Sequence, residues 1–124
     1  MSQILIAGKD WHSRALLRAQ LLEEGFGVEA FETVSDALES LEPGRNLPHL
    51  VIGDVSASDR PSAEVDALAA WSRKIPTWII ASRTYNVEQG FGGRAFEMIL
   101  LRPIDVGELV EQIKRRLSGE LENE

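Results

Sequence analysis

The sequence contains no cysteine, which removes disulfides, thiolate metal sites and cysteine nucleophiles together and fits a reducing compartment. Long hydrophobic runs are missing as well. No stretch approaches the roughly 20 apolar residues that span a bilayer, and no basic-then-apolar segment opens the chain. A cytoplasmic protein without membrane contact is the expectation. Positive charge is scarce: 13 basic residues stand against 20 acidic ones, for a formal net charge of −7. That balance argues against a broad face for nucleic-acid phosphates or anionic lipid, though it leaves room for a local basic patch. The basic triplet Lys114, Arg115 and Arg116 is expected in the last turn of a helix, where cations complement the dipole without any nucleic acid. His12 and His49 lie far apart and read as ordinary polar positions rather than metal ligands.

What is present is a single domain's worth of core. The chain has 124 residues, 44% hydrophobic and 27% charged, an ordinary globular balance. ILIA at 4–7 is a short apolar run ended by glycine, the mark of a strand buried on both faces. SRALLRAQLLEEGF at 13–26 has leucines at one-face helical spacing, with Ser13 as N-cap and Gly25 as C-terminal stop. VEAF at 28–31 predicts a second strand and SDALESL a short helix from Ser35, before the loop EPGRNLP. LVIGDV at 50–55 is a third strand, SAEVDALAAWSR a helix, TWIIA at 77–81 a fourth strand and MILL at 98–101 a fifth. DVGELVEQIKRRL is a helix N-capped by Asp105, and residues 119–124 are read as a polar, frayed tail to a domain spanning 1–118. TYNVEQGFGGRAF at 84–96 is a poor helix because of its glycines. GFGG at 90–93 does not follow a strand, so a phosphate loop is not expected.

Short apolar strands alternating with helices imply a three-layer α/β fold around a parallel sheet. Five units suit the doubly wound, flavodoxin-like order 2-1-3-4-5, with the helix between the fourth and fifth strands short or irregular. Function in such sheets gathers where strands end. The residues to read are Gly8, Lys9 and Asp10 after the first strand, Asp54 after the third, Ala81 and Ser82 after the fourth, and Arg102 after the fifth. Trp11 should lie at the rim of the same place, while Trp71 and Trp78 read as core.

ILIAGKD, HLVIGDV, PTWIIAS and LLRPIDVGELVEQI together resemble the receiver domain of two-component response regulators, over nearly the whole chain. The last segment is the most specific. The family ends its fifth strand in a lysine and a cis proline before an acidic residue opens the final helix; Arg102, Pro103 and Asp105 stand here. The resemblance implies that Asp54 is the phosphoacceptor position, which in a working receiver takes a phosphoryl group from a histidine kinase with the help of Mg²⁺. That chemistry needs an in-line carboxylate, oxygen ligands for the metal and a cation on the developing charge.

The surrounding positions depart from the family. The acidic pair is replaced by Gly8 and Lys9, with Asp10 one step late and expected to turn away. Ala81 and Ser82 reverse the usual hydroxyl-then-alanine order, and Ile99 replaces the aromatic residue of the fifth strand. Ala57 and Ser58 stand where the family has its Met-Pro step. The expected reading is an atypical receiver, or pseudo-receiver, that works by protein contact and is not an enzyme. Asp54 is read as paired with Arg102 or Lys9, and Arg102 as a bidentate partner through its planar fork. No cofactor is expected. Two alternatives stay open: a phosphorylatable receiver in which Asp10 and Asp54 hold Mg²⁺, and a flavodoxin-like domain binding a small ligand at the same rim. Partners are proteins, a histidine kinase or an output protein among them. A homodimer would use the face of the fifth strand, the last helix and the helix before them. The chain either acts alone or belongs to a longer one.

Overall fold

A computed structural model describes residues 3–41, 46–83 and 96–122. Its strands are β1 (Gln3–Gly8), β2 (Gly27–Phe31), β3 (Leu50–Asp54), β4 (Thr77–Ala81) and β5 (Met98–Leu101). Among the described residues the helices are α1 (Trp11–Glu23), α2 (Val34–Glu39), α3 (Pro61–Trp71) and α4 (Val106–Glu122). The sheet is parallel throughout and ordered β2-β1-β3-β4-β5, as the strand count and resemblance implied. The helix expected between β4 and β5, with its GFGG motif, lies outside the described residues.

Strand alternation divides the core into two layers. Ile4, Ile6, Ile52, Trp78 and Ile80 pack on one face against Leu17 and Leu21 of α1 and Leu109, Ile113 and Leu117 of α4. Leu5, Val51 and Ile79 pack on the other against Val34 and Ala37 of α2 and Val65 and Leu68 of α3. Each apolar strand thus serves both faces, which is why its sequence shows a run instead of an alternation.

The helix ends differ from the sequence reading in three places. Asp10, not Ser13, caps α1: its backbone is extended and its carboxylate accepts from the backbone N–H groups of His12 and Ser13 at 3.2 and 3.4 Å. Thr33, not Ser35, caps α2, its hydroxyl accepting from the N–H of Asp36 at 3.0 Å. In both cases the earlier polar residue reaches the free N–H groups first and the helix begins upstream of the expected cap. Gly25 follows α1 with φ +92°, and Asp105 caps α4 by accepting from the N–H of Glu108 at 3.1 Å. The third difference is at the far end of α4, which continues to Glu122 through the segment expected to fray. Lys114 and Arg116 therefore lie inside the helix instead of its last turn. They are held by neighbours, Lys114 by Glu24 at 3.2 Å and Glu111 at 3.4 Å, and Arg116 by Glu97.

Candidate functional site

The register of the sheet sets the site. Gly8 lies opposite Asp54 across β1 and β3, and Asp54 lies beside Ile80 of β4. Asp54 then turns its carboxylate onto its own loop. Oδ1 accepts from the backbone N–H of Ser56 at 2.9 Å and from its hydroxyl at 2.5 Å, the local turn that a strand-end aspartate commonly makes. Oδ2 is ion-paired with Nη2 of Arg102.

Arg102 reaches this point from the end of β5. Its N–H donates to the Ala81 carbonyl at 3.0 Å, and the peptide to Pro103 is cis. Every nitrogen of the guanidinium has a role. Nε donates to the Ser56 hydroxyl at 3.0 Å, Nη1 donates to the Ser13 hydroxyl at 3.2 Å, and Nη2 meets Asp54. Nη2 also stands 3.7 Å from Oδ2 of Asp10. The Ser13 hydroxyl in turn donates to Asp10 at 3.1 Å. Each serine thus accepts from the arginine and donates to a carboxylate, which fixes its hydroxyl hydrogen. The expected bidentate contact is not formed: the second tooth of the fork goes to Ser56 instead of Asp54.

Asp54's side chain retains 11% of its exposure and that of Arg102 26%, so the pair is shielded on most sides. Arg14 adds a second cation, donating to the carbonyl of Gly8. The cavity enclosed by Gly8, Asp10, Ser13, Asp54 and Arg102 measures about 20 Å³, near the size of one water. The Asp10 carboxyl is held below its ordinary range chiefly by the backbone N–H of Ser13, then by the Ser13 hydroxyl, the Arg102 charge and the N–H of His12.

Two expected placements are reversed by alternation. Lys9 does not approach Asp54. It follows Gly8 and so faces the other side of the sheet, where its ammonium meets Asp59 at 2.5 Å. Asp10, two residues after Gly8, returns to the Asp54 side and joins the network instead of turning away. Gly8, Asp10, Asp54 and Arg102 therefore come together, and Lys9 does not join them. Ala81 is fully buried in the second core layer, Ser82 is half-buried beyond it, and Ile99 is 40% exposed on β5. Pro103 is exposed, and Trp11, at 67% exposure, stands at the rim as expected. The proposed dimer face includes residues 84–95, outside those described. Ser56 and Arg14 were not singled out from sequence, and Ser13 only as a helix cap. Ser56, two residues after a strand-end aspartate, and Ser13, three after Asp10, carried turn and capping signals; Arg14 carried none.

No family model matches the sequence, and no curated protein matches it. Solved structures do. A sensor protein from Polaromonas sp. JS666 superposes with a TM-score of 0.72 at 23% identity, covering 95% of this chain and 97% of that one. A CheY-like response regulator receiver domain protein from Methanospirillum hungatei JF-1 gives 0.73 at 17% identity, covering 100% and 99%. The receiver domain of NtrX from Brucella abortus gives 0.72 at 21%, covering 93% and 98%. At these identities the likeness is one of fold. With its strand order, its Asp54 at the end of β3 and its cis proline after β5, the chain has the fold of the response regulator receiver domain.

Proposed function

We propose that this protein is a pseudo-receiver, a non-catalytic signalling module that acts through contacts with partner proteins and is not phosphorylated in the Mg²⁺-dependent way. The observation that carries this reading is the state of Asp54. One carboxylate oxygen is taken by Ser56 and the other by Arg102, within a cavity of about 20 Å³. An attacking carboxylate needs a free lone pair in line with phosphorus. Mg²⁺ needs near-octahedral oxygen ligands and keeps several waters. The residues present do not fit it: Asp10 and Asp54 both lie against Arg102, and among the described residues no three histidine, cysteine, aspartate or glutamate side chains converge. Gly8 and Lys9 supply no carboxylate. On this reading Arg102 holds permanently the charge balance that phosphate and metal would set conditionally.

The test is a titration of the ¹⁵N-labelled protein with Mg²⁺ and beryllofluoride, and with Mg²⁺ and a small acyl phosphate. The amide spectrum is expected to stay unchanged. A saturable shift of the Asp54 and Ser56 amides that disappears in Asp54→Asn would overturn the proposal in favour of a phosphorylatable receiver.

A further inference from the structure

Behind Lys9, on the side of the sheet away from Asp54, α2 and α3 diverge around a cavity of about 650 Å³. Val34 and Leu38 of α2 form one wall, and Ala63 and Ala67, one turn apart on α3, form the other. Two methyl side chains where larger ones would close the gap leave an apolar slot within the range of built binding sites. Its rim is acidic. Glu32, Glu39, Asp59 and Glu64 surround it, against Lys9 and Arg60. Lys9 is already committed to Asp59. Glu64 accepts from the N–H of Val34 at 3.3 Å, at the start of α2. Glu32 and Glu39 line the groove and form no ion pair with a described residue, although the charge of Glu32 also acts on Lys9.

We infer that this groove docks a basic, amphipathic segment of a partner protein. An apolar side chain enters between Leu38 and Ala63, and flanking lysines or arginines meet Glu32 and Glu39. The occupant's sign follows from charge complementarity: with Lys9 and Asp59 paired to each other, three carboxylates face one cation, on a chain of net charge −7. The inference rests on the reading of the protein as a contact module and says where the contact is made. The end of the groove is closed by Lys9, next to Gly8, and by Asp59, in the same loop as Ser56.

The probe is a short synthetic amphipathic helix of leucine and lysine, titrated into the ¹⁵N-labelled protein alongside the same peptide with glutamate for lysine. Saturable amide shifts are expected along α2 and the first turns of α3, with the lysine peptide alone. Ala63→Phe, which fills the slot from an exposed position, should weaken binding roughly tenfold. The double variant Glu32→Gln/Glu39→Gln leaves packing untouched and should weaken it comparably, whereas Glu108→Gln on α4 should not. Equal binding of the glutamate peptide, shifts spread over the whole surface, or wild-type affinity in the double variant would each overturn the inference. None of these outcomes depends on phosphorylation, so this inference and the pseudo-receiver reading fail separately.

Discussion

A lysine in place of Arg102 would offer one nitrogen where the guanidinium offers three in a plane. Nε and Nη2 reach Ser56 and Asp54 at the end of β3, and Nη1 reaches Ser13 in α1. The arginine is thus a clasp among strand ends and not simply a counter-ion. Asp54→Ala should remove its charged partner and leave a shielded guanidinium with two hydroxyls and a more distant carboxylate. The expected loss is about 2 kcal/mol, that of a charged hydrogen bond and less than that of a fully buried pair, since Arg102 keeps 26% of its exposure. Urea unfolding checks it, with the slope unchanged; an unchanged midpoint would remove the fixed-charge reading. A pairing of Asp54 with Arg102 or Lys9 was expected from the resemblance, which sets all three at strand ends around one site; of the two cations Arg102 makes the contact. The geometry of that contact was not legible in sequence. Ser13 and Arg102 lie 89 positions apart, and no local pattern signals their meeting.

At the scale of elements, the apolar runs disclosed strand number and approximate limits, since each strand must be covered on both faces, and their alternation with helices suggested the order. The helix starts were less legible. Two polar residues near a helix start compete for the same N–H groups, and the winner depends on the incoming backbone, which only the fold supplies. Asp10 won at α1 and Thr33 at α2. Asp10→Ala should cost roughly 1 kcal/mol through loss of the cap, seen as a lower thermal midpoint near neutral pH. Because the folded carboxyl titrates below its ordinary range, the cap's contribution is complete above about pH 4 and fades as pH falls through the folded value. The wild type and Asp10→Ala should therefore converge in stability at acid pH. A gap that persists at pH 2 would show that the side chain matters by packing instead.

The molecule as a whole should follow the same rule from several places at once. Hydrogen bonding to Lys9 lowers Asp59, hydrogen bonding to Arg116 lowers Glu97, and the N–H of Ser13 lowers Asp10. Hydrogen bonding raises Lys9 through Asp59 and Lys114 through Glu24. Depressed carboxylates lose their contribution as pH falls below about 4, and raised lysines lose theirs as pH rises past about 10.4. A thermal-midpoint profile is expected to be flat between these limits and to fall on both sides. Added salt should blunt the acid limb, since Lys9 and Asp59 are exposed. A midpoint rising below pH 4 would contradict the assignment of these pairs.

Gly8 sets a limit on this arrangement. A Cβ placed there would stand 3.0 Å from the Cβ of Asp54, closer than carbon atoms comfortably approach. A side chain at position 8 would therefore press on Asp54 and require it to give by a few tenths of an ångström against the hold of Arg102 and Ser56. The spacing between β1 and β3 is thus set at this point by the absence of a side chain, and Gly8→Ala should lower the thermal midpoint by displacing Asp54 from Arg102 and Ser56.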